Sequence, residues 1–211
     1  MKILRRLAVL AAAVLFLLCP LIERPAAADD QTIVSRSEKS SQYEDLKEQI
    51  RSVYKKAKNA SRVKSFKGKC GKYVNRQLVI LGINTKYIGS NGNRAFDIYK
   101  NKKETTGGYR ITTYPAKQYT LRAALEAIER EDPHARNILV GFQKGTSKAG
   151  KRYGHVLFIH GIENGCVYFS DSFAQTVNGK RYSEGEPIVC SVAAFAKLYK
   201  KYKLDGVIHF G

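Results

Sequence analysis

The chain has 211 residues, of which 37 are Lys or Arg and 18 are Asp or Glu, giving a formal net charge of +19. That length allows one domain with a substantial core, and the basic balance points to an anionic partner or simply to solubility. No phosphate loop, zinc spacing or dinucleotide fingerprint is present, so the function classes that depend on them are set aside.

The N-terminus reads as a secretion signal over residues 1–28. Lys2, Arg5 and Arg6 form a positive n-region, residues 7–18 an apolar h-region too short to span a bilayer, and Ala26-Ala27-Ala28 a small-residue cleavage site. A lipoprotein reading on Cys19 is disfavoured by Leu18 before it and Pro20 after it. No later apolar run has membrane-spanning length, so a secreted or cell-wall-associated product is expected, starting near Asp29. Losing Lys2, Arg5, Arg6 and Arg24 together with Glu23 takes the net charge from +19 to +16. Cys19 leaves as well, and Cys70, Cys166 and Cys190 remain. This odd number leaves at least one thiol free or paired between molecules; if Cys166 and Cys190 bridge, it is Cys70. Three buried, reduced cysteines acting as small apolar residues are the plain alternative.

Residues 29–40 are polar and read as a mobile leader. Ser41 and Glu44 have capping-box spacing, and Tyr43, Leu46, Ile50, Val53, Tyr54 and Ala57 recur at helical steps. Residues 59–69 form a basic connector in which Phe66 is the expected core anchor. A second helix starts at or near Cys70, with Tyr73, Val74, Gln77, Leu78 and Leu81 on its apolar face and Gly82 as its stop.

Residues 83–118 read as irregular, with a short helix over 94–99 and a strand over 109–114. Thr120 caps a helix carrying Leu121, Ala124, Leu125 and Ile128, which Pro133 ends. Strands follow over 137–142, 154–161 and 166–171, with a basic loop over 145–152 between the first two. Asn178-Gly179 marks a turn, Ser191 caps a last helix to about Lys203, and residues 206–210 close the chain as a strand. Helices first and a mostly antiparallel sheet afterwards make an α+β class, with residues 41–211 as its domain.

Chemistry concentrates on three residues. Cys70 stands where a helix begins, beside Lys67, Lys69 and Lys72, and the helix dipole and the lysines favour its thiolate. Backbone N–H groups there can also hold an oxyanion. His155 opens a strand, and a three-residue loop at Glu163-Asn164-Gly165 would set it opposite Phe173, with Asp171 its diagonal neighbour on the same face. A one-residue slip would turn the two to opposite faces. Cys70, His155 and Asp171 are thus candidates for nucleophile, base and orienting carboxylate. The bland reading is a core cysteine and an ordinary cross-strand polar pair. His160 has the opposite parity and should face away, His134 should be exposed, and His209 is expected to be structural. No metal-ligand spacing and no cofactor are read from these residues.

The blocks Cys70-Gly71-Lys72-Tyr73-Val74, Gly154-His155-Val156-Leu157-Phe158-Ile159 and Val167-Tyr168-Phe169-Ser170-Asp171 resemble those of papain-like cysteine hydrolases of bacteria. The likeness is to CHAP amidase/peptidase domains and to bacteriocin leader peptidases, over about residues 60–175. It implies a papain-like fold, amide-bond hydrolysis, often of peptidoglycan, and the roles above for Cys70, His155 and Asp171. The chain departs from the pattern in two places. Lys64 stands where leader peptidases have a glutamine oxyanion donor, which leaves Tyr54 as a guess for that role. Asp171 and Phe173 stand where CHAP domains usually have Glu and Asn.

Cell-wall peptide or anionic wall polymers are the partners this implies, with no specific nucleic acid. A transglutaminase-like acyl transferase shares the Cys, His, Asp order but usually has aromatic residues after the histidine, where Val156 and Leu157 stand. A non-catalytic basic wall- or nucleic-acid-binding module could use Tyr199-Lys200-Lys201-Tyr202-Lys203, although a solvated helix explains that run more simply.

Overall fold

The computed structural model describes residues 29–83, 100, 108–146 and 152–211. The expected signal over residues 1–28 and the expected helix over 94–99 lie outside them. The chain divides into two compact units, Met1–Ser40 and Ser41–Gly211, and every strand and every candidate site residue belongs to the second.

Helix α1 runs over Asp29–Ser61. The leader expected over residues 29–40 is therefore helical backbone, and Ser41 lies inside the helix rather than at its start. The physical reason is the absence of any Gly or Pro between 29 and 61, so nothing interrupts propagation once the apolar-periodic part has nucleated. Leu46, Ile50, Val53 and Ala57 are buried along one face, and Phe66 in the following connector is fully buried.

Helix α2, Cys70–Ile80, begins at the cysteine itself, and its N-cap Lys69 makes no side-chain cap bond. Val74 and Leu78 pack with Leu139, Val156, Phe158 and Ile208 on one face of a sheet. Helices α3, Leu121–Glu131, and α4, Val192–Tyr199, are capped by Thr120 and Ser191 as the sequence predicts. They cover the other face, where Leu125, Ile128 and Phe195 meet Val140, Leu157, Ile159 and Phe169.

The strands are β1 Ile111–Pro115, β2 Arg136–Thr146, β3 Arg152–Glu163, β4 Cys166–Ser170, β5 Gln175–Val177, β6 Lys180–Tyr182, β7 Ile188–Ser191 and β8 Leu204–Phe210. Six form one sheet in the order β1-β8-β2-β3-β4-β7, with every neighbouring pair antiparallel, while β5 and β6 form a separate hairpin. The fold is α+β, with a mostly antiparallel sheet between α2 on one side and α3 and α4 on the other. Strand β7 has no counterpart in the sequence reading. Helix α4 stops at Tyr199 instead of continuing to about Lys203, because the chain turns there to bring the Lys203 carbonyl onto the Gln143 N–H.

The β3–β4 hairpin reaches its register by a route different from the expected three-residue loop. Glu163 pairs with Cys166 across a two-residue turn, Asn164-Gly165, whose φ values of 52° and 70° are both positive. That is the backbone of a type I′ turn, which asparagine tolerates and glycine adopts without strain. Carried on unbroken, this register would put His155 and Asp171 on opposite faces. An irregularity between Ile159 and Gly161 adds one residue to β3, so that Ile159 pairs with Phe169 and Phe158 with Ser170. Extended past Ser170, the corrected register sets His155 level with Phe173, and the two rings are 5.6 Å apart.

All three cysteines in the described residues are free. Cys166 pairs with Ser191 while Cys190 pairs with Val167, so the two thiols project from opposite faces of adjacent strands and cannot bridge.

Phe169 is fully buried, with its ring 4.8 Å from that of Phe195. Phe169→Ala is expected to lower stability by about 3–5 kcal/mol in urea denaturation.

Candidate active site

Cys70, His155 and Asp171 come together at the start of β3. The thiol arrives from the α2 side of the sheet and the imidazole from the α3/α4 side. They meet where the backbone N–H groups of Val156 and Gly71 also reach the sulfur. Cys70 is half-buried, whereas His155 and Asp171 are buried.

The Asp171 carboxylate would be costly to bury without partners, and it is saturated with donors. Its Oδ2 accepts from His155 Nε2 at 3.2 Å, from Gln175 Nε2 at 2.6 Å and from the Tyr199 hydroxyl at 2.7 Å. Its Oδ1 accepts from the Ser172 hydroxyl at 3.3 Å and from the Phe173 N–H at 3.2 Å. Burial pushes its pKa up, but the His155 bond and charge, with the Tyr199 and Gln175 bonds, prevail and hold it below the usual carboxylate value.

With Nε2 engaged by Asp171, Nδ1 is the ring nitrogen left for Cys70. Nδ1 is buried and makes no hydrogen bond of its own among the described residues; burial disfavours the imidazolium, yet the Asp171 hydrogen bond and the neighbouring Asp171 and Cys70 groups raise His155 from 6.5 to about 9. For Cys70, burial works against the thiolate. The opposing effects of His155 and of the Val156 and Gly71 N–H groups win and lower its pKa. Both shifts act in favour of a thiolate–imidazolium pair. An aromatic cage surrounds the imidazole: Phe142, Tyr199 and Tyr202 lie at 6.3, 5.9 and 5.5 Å between ring centroids, with the Phe142 and Tyr199 rings nearly parallel to it. Such faces stabilise a cationic ring. Tyr202 also senses both Asp171 and Cys70, and its pKa is raised by burial and by those two negative groups.

Helix α2 is pinned to the sheet along one stripe. Cys70, Tyr73 and Gln77 fall at i, i+3 and i+7, which is one helix face. The hydroxyls of Tyr73 and Ser170 share a hydrogen bond of 2.6 Å, and His160 Nε2 donates to Gln77 Oε1 at 2.8 Å. His160 therefore faces α2, away from the His155 cage, and burial pushes its pKa down to about 3. It serves as a neutral pin between the sheet and α2.

A strap crosses from the carboxylate arm to the loop before Cys70. The Glu184 carboxylate accepts from the Tyr54 hydroxyl at 3.0 Å, from the Ser65 hydroxyl and from the Phe66 N–H, while the Lys67 N–H donates to the Ser65 oxygen at 2.9 Å. The adjacent Gly185 N–H donates to the Asp171 carbonyl at 2.8 Å. Gly185 has φ of +73°, and a Cβ there would lie 2.1 Å from the Tyr54 ring, so only glycine fits. Tyr54 is thereby committed to Glu184 and to edge-on packing against Phe66 and Tyr73, which removes it as the guessed oxyanion donor. Lys64 is exposed.

The remaining histidines stand apart. His134 is exposed, with Nδ1 3.1 Å from Glu163, and His209 is buried on β8 with Nε2 3.9 Å from Asp132. Among the described residues no group of three His, Cys, Asp or Glu side chains is arranged to hold a metal ion, and no helix is long and apolar enough to cross a membrane.

Four site residues escape the sequence reading: Gln175, Glu184, Tyr199 and Tyr202. The two tyrosines sit in the Lys-Tyr run read as solvated or nucleic-acid-stacking. Their three-residue spacing at the end of an apolar helix is the signal that they share an inward face. Gln175 and Glu184 lie in turn-rich segments whose local pattern carries no such sign.

Alkylation by iodoacetamide across pH is expected to show Cys70 ionising below the ordinary thiol value of 9.0. Cys166 and Cys190, both held above it by burial, should react more slowly. Asp171→Asn should move the Cys70 midpoint upward, and a Cys70 profile like that of Cys166 would refute the pair. Because the folded pKa of His155 lies above its unfolded value, its stabilisation is full below about pH 6.5 and fades as pH rises through about 9. For the strap, Glu184→Ala should cost about 1.5–3 kcal/mol in urea denaturation, with Glu184→Gln losing less because one oxygen still accepts.

No protein-family model matches the chain, and no curated protein or solved structure matches it either.

Proposed function

We propose that the chain is a secreted papain-like cysteine hydrolase, similar to CHAP domains, that cleaves amide bonds in bacterial cell-wall peptide. The observation that carries this reading is the buried Asp171–His155 pair beside a half-buried cysteine whose pKa is lowered at the first position of a helix. The donors gathered on Asp171 meet the cost of burying its charge, and the opposite shifts of Cys70 and His155 beside it are those that a nucleophile and its base need.

In the proposed mechanism the Cys70 thiolate attacks the amide carbonyl while backbone N–H groups at the start of α2 receive the developing oxyanion. The imidazolium of His155 then gives its proton to the departing nitrogen as the C–N bond breaks, leaving a thioester on Cys70. Neutral His155 next takes a proton from water, whose oxygen displaces the sulfur and restores the ion pair. Asp171 keeps Nε2 protonated, so that Nδ1 faces the thiol, and it stabilises the charged ring. The basic surface, at +16 once residues 1–28 are removed, would hold the enzyme on anionic wall polymers and release it at high salt.

Incubating the mature protein with purified muropeptides should yield products that together weigh the substrate plus one water. Cys70→Ala should abolish this cleavage, and Asp171→Asn should slow it by about 10²-fold or more. Cleavage that survives Cys70→Ala would eliminate the thiol mechanism. Incorporation of an added amine in place of water would favour the acyl-transferase reading.

A further inference from the structure

Between Glu48 and Asp97 the sequence contains no acidic residue, and its cations crowd into residues 55–69, where six lysines and one arginine stand among fifteen residues. Lys55, Lys56, Arg62, Lys64, Lys67 and Lys69 are exposed, and Lys58 is half-buried with its ammonium 5.6 Å from the centroid of the Tyr54 ring. None of the seven takes part in an ion pair among the described residues. By contrast, Lys47, Arg51 and Arg122 each have a carboxylate one helical turn away. Glu184 does reach the segment, but its oxygens are held by Tyr54, Ser65 and the Phe66 N–H.

The segment has two parts. Residues 55–61 are the last turns of α1, whose buried Val53 and Ala57 face the domain while Lys55, two residues from each, lies on the opposite side. At Arg62 the backbone takes a φ of 50° and leaves the helix. The connector then brings Lys64, Lys67 and Lys69 to the start of α2, where Cys70 follows directly. Glu184 ties this connector to the Asp171 arm, because the neighbouring Gly185 N–H donates to the Asp171 carbonyl. The cations thus form a track that ends at the half-buried thiol.

One exposed ion pair contributes little, so such a track favours a ligand that meets several cations at once, which is a polyanion. Ammonium groups meet phosphate oxygens as point charges, whereas forked recognition of a carboxylate suits arginine, of which the track has one. The aromatic ring within it, Phe66, is fully buried, and Tyr54 is held by Glu184, so neither ring offers a base a face to stack on. We infer that residues 55–69 bind a linear polymer of repeated phosphate esters without bases, and that the polymer so held leads to Cys70. This rests on the reading that the chain works on the bacterial wall, and it names the surface and the anion that would retain it there.

In the mature Cys70→Ala protein, binding is read without turnover. Calorimetric titration with poly(glycerol phosphate) should show an affinity that falls as salt rises. Replacing Lys55, Lys56, Lys64 and Lys67 with glutamine should weaken binding at least about tenfold. It should also lower the slope of log affinity against log salt by about 3, at roughly 0.7 per phosphate contact on a single strand. Lys117, Arg181, Lys197 and Lys200 are exposed cations outside the track. Replacing those four with glutamine removes the same charge, from +16 to +12, and should change affinity less than about threefold. Unchanged urea midpoints check that both variants fold. Equal losses from the two variants would make net charge alone the cause and overturn the assignment. Absence of binding, or tighter binding of poly(glutamate) or of an oligothymidylate of equal charge, overturns it as well. The hydrolase reading fails by a different result: muropeptide cleavage that survives Cys70→Ala removes it and leaves the polymer measurement standing.

Discussion

The Asp171 carboxylate is the group around which this domain is assembled. A negative charge with almost no solvent access is tolerated only if the surrounding structure supplies donors, and here five side-chain and backbone groups do so. They come from β3, from the end of α4, from the start of β5 and from the turn after β4. Each of those elements is therefore constrained by one carboxylate, and the backbone carbonyl of the same residue holds Gly185. If His155 were displaced, two Asp171 oxygens would still be hydrogen-bonded but the charge balance would be lost. The pair is thus a joint condition of stability and of chemistry.

Cys70 is brought to this group by a different set of contacts. Apolar packing of Val74 and Leu78 holds α2 against the sheet but leaves it free to slide along its axis. The hydrogen bonds of Tyr73 to Ser170 and Gln77 to His160 remove that freedom, because directional bonds between buried partners have one acceptable register. Glu184 then fixes the loop that enters the helix. Cys70 is in this way located by polar contacts on both sides of it in sequence, and its thiolate is supported by N–H groups that the uncapped helix start leaves available. Lys67 and Lys69 beside it are exposed, and the lowered pKa of Cys70 comes from His155 and the Val156 and Gly71 N–H groups.

Much of the domain is legible in the residues. The two capped helices at Thr120 and Ser191, the buried face of α2 and the cysteine at its head follow from local rules of capping and periodicity, which act over a few residues. The pairing of His155 with Asp171 is legible too, but for a reason that the structure replaces. The turn is two residues long, and the extra residue needed for the correct face is inserted in β3 near His160. A turn and a bulge trade against each other in register, so short-range signals alone do not separate them. The helical backbone over residues 29–40 is hidden from a reading of composition, because polar residues signal solvation more strongly than they signal the absence of helix breakers.

By itself, the sequence determined the α+β class, the helix start at Cys70 and the placing of His155 and Asp171 on one face. These depend on periodicity, caps and side-chain chemistry, which are properties of neighbouring residues. Tertiary structure alone decided that Tyr199 and Gln175 complete the shell of Asp171, that Glu184 straps the loop before Cys70, that Tyr54 is committed elsewhere, and that Cys166 and Cys190 lie on opposite faces. Those contacts join segments up to 130 residues apart in the chain, as in Tyr54 to Glu184. No local pattern encodes such a contact, because its partners become neighbours only when the sheet has closed between them.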